Sequence, residues 1–237
     1  MKKILITGAY GFIGLNLLNY FSNTKYNIYT ISSNKENSNI NFKGDFFDLN
    51  FIFDVLKKTK PEIVIHLAWD TTPGKFYENI QNQKWAENTI EFIKRFYSIG
   101  GEKFFFSSTC NEYGFTKFGT LISEDMVCAP RSLYGKSKNI VTKFLIKNYK
   151  DKSVILRNFF VCGPGENKYK LLSSMVINIL KNKSIYLNRP FDQLDFVDVR
   201  DVSRAIIMLI DRDFNGLINI GSSLGFTPLQ LAKKVIK

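Results

Sequence analysis

The chain has 237 residues, 45% of them hydrophobic, and a formal net charge of +12. That length and apolar content suit one compact, two-lobed unit with a substantial core, and exclude a disordered chain or a small stapled module. Cys110, Cys128 and Cys162 are odd in number and lack CxxC spacing, which argues against a disulfide framework or a zinc cage and points to a reducing, cytoplasmic setting.

The positive charge is the one bulk feature that suggests nucleic acid. Its lysines are scattered through helix-like segments, with no basic run of five or six, so no nucleic-acid partner is expected. A solvated basic surface that helps attract an anionic diphosphate is the simpler reading. No apolar stretch approaches the roughly 20 residues that span a bilayer, so no membrane partner is expected. The opening Met-Lys-Lys and the apolar run behind it have the look of a signal peptide. However, Gly8, Gly11 and Gly14 interrupt the run and no small-residue cleavage site follows.

In chain order, short apolar runs alternate with stretches of helical periodicity, the signature of β-α-β units on a parallel sheet. Strands are expected at Lys3 to Thr7, Asn27 to Ser32, Ile63 to Leu67, Lys103 to Ser107 and Ser153 to Arg157. Helices are expected at Phe12 to Phe21, Phe51 to Lys58, Phe76 to Ile99 and Leu133 to Asn148. This order predicts an α/β fold with a doubly wound, Rossmann-type sheet and ligand sites at the carboxyl ends of its strands. After Gly163-Pro164-Gly165 the alternation breaks down. A helical stretch, Leu171 to Leu180, leads into a loop around Arg189 and Pro190, which reads as a smaller lobe. Residues 1–160 are thus assigned to dinucleotide binding, with 195–210 returning to that domain as strand then helix. Residues 161–194 and 211–237 are assigned to a substrate lobe, expected to be reduced because the chain ends in a helical stretch.

The first strand turns into the first helix through Gly8, Gly11 and Gly14 at GxxGxxG spacing. Gly8 permits the tight turn, Gly11 lets backbone approach a pyrophosphate, and Gly14 allows close helix packing; the helix start, with Phe12 and Ile13, offers free N–H groups to phosphate. Tyr134 and Lys138 form a YxxxK pair, which on a helix shares one face with Cβ atoms about 6 Å apart. An ammonium there favours the phenolate, and bringing a phenol from a pKa of about 10 to near 7 takes roughly 4 kcal/mol. The strand before them delivers Ser107-Ser108-Thr109, where a hydroxyl can steady a substrate oxygen while Tyr134 exchanges the proton.

These segments, with His66-Leu67-Ala68, Tyr113-Gly114, Arg157, Gly163-Pro164 and Asp195-Phe196-Val197-Asp198-Val199-Arg200-Asp201-Val202, occur in the order seen in the NAD-dependent epimerase/dehydratase family. The chain resembles that family over essentially its whole length. The resemblance implies Tyr134 as acid/base, Lys138 on the nicotinamide ribose and tuning the tyrosine, and Thr109 as hydroxyl partner. It places Asp45 and Phe46 near the adenine, Leu67, Ala68 and Ser107 along the cofactor, and Asn82 near cofactor or substrate. It also implies a homodimer paired through the two long helices.

Departures from the pattern carry the finer expectations. Family dehydratases place Asp-Glu directly after the threonine, whereas Cys110 and Asn111 stand here, and neither is a carboxylic general acid. Dehydration is disfavoured, with the displaced Glu112 able to rescue it only if the loop is re-registered. The second strand ends in Ser32-Ser33-Asn34-Lys35 rather than an acidic residue, which accommodates a 2′-phosphate. NADP(H) is therefore favoured, with NAD(H) as the alternative. Phe160 stands where the family often has Asn. Leu194 stands where it has Arg, leaving Arg189, Lys170 or Lys168 to meet a substrate diphosphate.

The phrase Leu67-Ala68-Trp69, with Pro73, Tyr77 and Trp85, resembles 4-ketoreductases of deoxysugar nucleotides. Trp69 is a candidate substrate wall, and Trp69 and Trp85 equally candidates for core or dimer helix. His66, the only histidine, is expected to be packed rather than catalytic, and no cluster supports a metal. Together these implications make the chain an NAD(P)-dependent enzyme acting on a nucleotide-diphosphate sugar. A 4-keto sugar-nucleotide reductase is the leading reading and a 4-epimerase with retained NAD the alternative. A non-catalytic dinucleotide sensor would require loss of the acid/base set.

Overall fold

The computed structural model describes residues 1–22, 24–114 and 119–236. Its main sheet is parallel and seven-stranded. It is built from β1 (Lys3–Thr7), β2 (Asn27–Ser32), β3 (Asn41–Lys43), β4 (Ile63–His66), β5 (Lys103–Thr109), β6 (Ser153–Asn158) and β9 (Gly216–Ile220), with β7 and β8 lying outside it. The strand order β3-β2-β1-β4-β5-β6-β9 reverses direction between β1 and β4, the switch point at which such sheets bind ligands. The Rossmann-type α/β architecture read from the sequence is the one present.

Strand alternation sends side chains into two cores. Phe104 and Phe106 of β5 join Phe92 and Phe96 of α3 (Gln81–Ser98) and Leu145 of α4 (Leu133–Tyr149) on one face. Phe105 joins Leu17 of α1 (Phe12–Phe21) and Ile206 of α6 (Val199–Asp211) on the other. All seven residues of β5 are buried, so its carboxyl end is fixed from both sides.

Local chemistry sets the boundaries. Helix α2 (Leu49–Thr59) starts two residues earlier than its apolar periodicity suggests, because Asp48 caps it by accepting from the amides of Asn50 and Phe51. The helix expected from Phe76 is broken: a single 3₁₀ turn covers Phe76–Glu78, Asn79 is extended, and α3 begins only at Gln81. Ser132 caps α4 by accepting from the Gly135 amide at 3.1 Å.

The smaller lobe has a three-stranded sheet, β10 (Gly225–Phe226), β8 (Leu194–Asp198) and β7 (Phe160–Cys162), with α5 (Leu171–Leu180) and α7 (Pro228–Ile236) beside it. The 195–210 stretch therefore divides. Its helix, α6, packs against the main sheet through Val202, Ile206, Leu209 and Ile210. Its strand, β8, pairs with β7 and β10, and the strand that reaches the main sheet is β9, inside 211–237. Among the described residues no helix is long and apolar enough to cross a membrane.

Candidate active site

The turn from β1 into α1 is shaped by two glycines. Gly8 has φ +69°, and a Cβ there would lie 2.7 Å from the Ala68 amide nitrogen. At Gly14 a Cβ would lie 2.3 Å from the Gly8 carbonyl oxygen. The β1–α1 turn and the Leu67–Ala68 backbone thus touch with no room for a side chain. Helix α1 begins at Gly11 without a side-chain cap, leaving its first-turn amides, those of Phe12 and Ile13 among them, available to phosphate oxygens. This cradle fits a dinucleotide pyrophosphate.

At the end of β2, the Ser32 hydroxyl accepts from the amides of Asn34 (3.1 Å) and Lys35 (3.0 Å). The resulting turn swings the Lys35 ammonium over the Tyr10 ring, 5.5 Å from its centroid, and leaves Ser33 exposed beside it. Asp45 is exposed and accepts from the Phe47 amide. The Phe46 ring is in the core, stacked on Trp85 at 5.3 Å.

The catalytic candidates converge at the carboxyl end of β5. Lys138 is 2% exposed and donates to the Ser107 carbonyl at 2.6 Å. Tyr134 lies one turn earlier on α4, with the Lys138 Nζ 5.9 Å from its ring centroid. Asn111 donates from Nδ2 to Thr109 Oγ1 at 3.0 Å, and the Thr109 hydroxyl in turn hydrogen-bonds Tyr134. Burial pushes the Tyr134 phenol up, although the Thr109 hydrogen bond pulls it down. This is opposite to the direction expected of a YxxxK pair, because burial of the phenol outweighs the groups that favour its phenolate. Burial lowers the Lys138 pKa to about 7, against an upward pull from Glu112.

Cys110, beside them, is a thiol pushed up to about 12 by burial, neither acid nor base near neutrality. Glu112 is fully buried and wholly committed: Ser108 and Thr142 donate to Oε1, and Arg157 donates from Nε to Oε2 at 2.9 Å. In this register its carboxylate is turned to Arg157, Ser108 and Thr142.

Several substrate candidates land elsewhere. Asn82 is buried and fully used, accepting from Trp69 Nε1 at 2.7 Å and donating to the carbonyls of Phe76 (2.6 Å) and Asn79 (2.9 Å). It holds Trp69, the ring that faces Tyr134. Trp69 does reach the centre, edge-on to Tyr134 at 6.3 Å, while Trp85 is packed between it and Phe46. Lys170, at the start of α5, lies 4.6 Å over the Phe76 ring, and Phe76 is edge-on to Tyr134 at 5.0 Å. That contact brings the smaller lobe to the site. Arg189 is mostly exposed, pairing with Asp192 at 2.5 Å, and Phe160 packs on Phe196 within the small sheet.

Two contributors escaped the sequence reading. Phe76 walls Tyr134 although nothing but its nearness to Tyr77 marks it. Asn158 donates to Ser107 Oγ at 3.0 Å while its own Oδ1 has no partner among the described residues.

His66 is packed, as expected of a lone strand histidine. Its ring nitrogens exchange hydrogen bonds with Thr7 (2.7 Å) and Thr89 (3.1 Å). Burial, with the nearby Lys138 charge, holds its pKa well below the usual histidine range. The unfolded histidine takes up a proton near pH 6.5 and the folded one only at lower pH, so its stabilising contribution is intact above about 6.5. That contribution is lost as pH falls further, at up to roughly 1.4 kcal/mol per pH unit. Urea midpoints should decline between about pH 7 and 5.5; a flat profile there would refute a neutral buried His66. Among the described residues, no group of three His, Cys, Asp or Glu is placed to hold a metal.

Glycine cradle, switch point and Tyr-Lys helix mark a Rossmann-type α/β protein whose candidate site lies at the carboxyl end of β5. The family model of the NAD-dependent epimerase/dehydratase family matches residues 4–221, and the chain belongs to that family. It is 30% identical over 97% of its length to a GDP-6-deoxy-D-talose 4-dehydrogenase from Aggregatibacter actinomycetemcomitans, covering 77% of that protein. It is 26% identical to a dTDP-D-glucose 4,6-dehydratase from Dictyostelium discoideum, covering 62% of it. Its fold matches a UDP-glucose 4-epimerase from Thermotoga maritima solved with UDP-glucose (TM-score 0.85, 23% identity, 98% of this chain and 81% of that one). It also matches a dTDP-glucose 4,6-dehydratase from Bacillus anthracis in complex with NAD (TM-score 0.83, 22% identity, 100% of this chain and 80% of that one).

Proposed function

We propose that the protein is a reductase of a 4-keto sugar nucleotide that uses NADPH in preference to NADH. The observation that carries this is the convergence of Tyr134, Lys138 and Thr109 at the carboxyl end of β5 with no carboxylic acid at positions 110 and 111. Tyr134 is placed to donate the proton that ketone reduction requires. An epimerase would use the same tyrosine first as base and then as acid, so the cofactor balance of the reaction separates the two. The backbone at Gly8, Gly11 and Gly14 would hold the pyrophosphate and Lys138 the nicotinamide ribose. When bound, the dinucleotide supplies the hydride. Tyr134 delivers its proton to the substrate oxygen while Thr109 positions that oxygen. Lys170, beside Phe76, suits an anionic diphosphate.

The absence of a carboxylic acid at 110 and 111, with Glu112 tied to Arg157, speaks against water elimination. Lys35 over Tyr10 supports the NADPH preference through a charge-assisted contact with a 2′-phosphate. The similarity to a GDP-6-deoxy-D-talose 4-dehydrogenase supports a redox reaction at a sugar C4. Helices α3 and α4, the latter exposing Ile140 and Ile146, would pair two copies, checked by a solution mass of two chains.

The test is a panel of UDP-, dTDP-, CDP- and GDP-linked 4-keto-6-deoxy sugars with NADPH or NADH. One of them should consume the reduced cofactor mole for mole, faster with NADPH. Conversion of a sugar nucleotide with no net change in cofactor would establish the epimerase instead.

A further inference from the structure

The Lys138 ammonium sits in an unusual environment for a buried cation. It is 2% exposed and, among the described residues, donates to the Ser107 carbonyl at 2.6 Å. The nearest carboxylate that acts on it is Glu112, which is already bound to Arg157, Ser108 and Thr142. What covers the ammonium is aromatic: Nζ lies 3.9 Å from the Trp69 ring centroid and 4.8 Å from that of Phe106. An indole face is the strongest side-chain partner for a desolvated cation. The ring is held in place at both ends. Its Nε1 donates to the fully committed Asn82 amide, and it stacks on Trp85 at 5.7 Å and 25°, which in turn stacks on Phe46 at 13°.

We propose that Trp69 is a positioning residue for the reaction: its indole face, locked by Asn82, stands in for a carboxylate and favours the cationic form of Lys138 at the end of β5. This deepens the proposed redox reading and rests on it for its meaning, though not for its test. Of the charged and titratable groups around Lys138, Tyr134 shares its helix, Glu112 follows β5 and carries the Arg157 of β6, and His66 ends β4. His66 is held neutral by burial and Glu112 is neutralised by Arg157. The Trp69 face adds its attraction to the upward pull of Glu112.

The titration of Lys138 can be read directly, without substrate or cofactor, by NMR of the lysine Cε–Hε signals across a pH series in protein carrying ¹³C-labelled lysine, with Lys138→Met assigning the resonance. In the wild-type chain the midpoint should fall near the value of about 7 set by burial. Trp69→Leu and Trp69→Met remove the π face and should lower the midpoint by about one pH unit, roughly a tenfold loss of proton affinity. Trp69→Phe keeps a weaker face and should fall between. If a non-aromatic variant does not fold, the Phe variant against wild type carries the comparison. Midpoints unchanged across folded variants would overturn the proposal. Calorimetric binding of NADPH and NADH to the same proteins separates the two readings: a wild-type chain that binds neither removes the redox assignment and leaves the Trp69 titration result standing.

Discussion

Replacing Tyr134 with Phe is expected to lower turnover of the keto-sugar nucleotide by roughly 10²–10⁴-fold, the usual contribution of a positioned proton donor. The fold should hardly notice. The ring is enclosed edge-on by Trp69, Phe76 and Tyr77, and phenylalanine fills the same space. What is lost is one hydroxyl and its bond with Thr109, about 1 kcal/mol or a few degrees in Tm for a chain of this length. NADPH affinity should stay within about twofold, since Tyr134 acts on the substrate oxygen rather than on the phosphates. The signature is therefore a fall in kcat with Kd for cofactor and Tm nearly constant. Full activity in Tyr134→Phe would move the proton source elsewhere, with Tyr77 the next hydroxyl in reach of the centre. That group is less apt: burial raises it and its hydrogen bond runs to Asn111 rather than to Thr109.

The first half of this site was open to sequence reading because it is local. Strand β1, helix α1 and strand β2 begin and end where their apolar runs do, and the glycine spacing states its own steric requirement. Tyr134 and Lys138 are four residues apart on one helix, so their companionship needs no tertiary information. The second half depends on contacts between distant segments. Nothing in Gly216–Ile220 announces an edge strand of the main sheet; it becomes one because β6 presents an open edge to it. Strand β3 hides in an Asn- and Ser-rich stretch for the same reason, being a three-residue edge that β2 recruits. Asn82 shows the limit most clearly. Its amide accepts from Trp69, a residue 13 positions away, and only the folded chain reveals that pairing. The direction of the Tyr134 shift was equally out of reach, since it turns on how completely distant segments bury the phenol.

Glu112 provides the largest expected effect on stability. Its carboxylate is at 0% exposure and Arg157 at 4%, and the pair anchors the end of β5 to β6. Arg157 also reaches the Tyr113 hydroxyl at 2.8 Å, and Tyr113 donates to Asn219 of β9 at 2.7 Å. One buried cluster thereby ties three adjacent strands together at the edge that carries Thr109. Glu112→Gln keeps the shape and removes the charge, leaving the Arg157 guanidinium buried without its counter-ion. Breaking a buried pair from one side typically costs about 3–5 kcal/mol, which for a chain of this length is a fall in Tm on the order of 10 °C. The double variant Glu112→Leu with Arg157→Met should recover much of that loss, because it removes both charges together and desolvation of the pair offsets most of its attraction. Thermal melts of the single and double variants test the cluster, and equal stability of Glu112→Gln and wild type would contradict a structural role. The same variants address chemistry. A carboxylate spent on Arg157 cannot also protonate a leaving hydroxyl, so residual activity per folded molecule should survive Glu112→Gln, whereas an enzyme that used Glu112 as its acid would lose turnover by orders of magnitude at unchanged substrate binding.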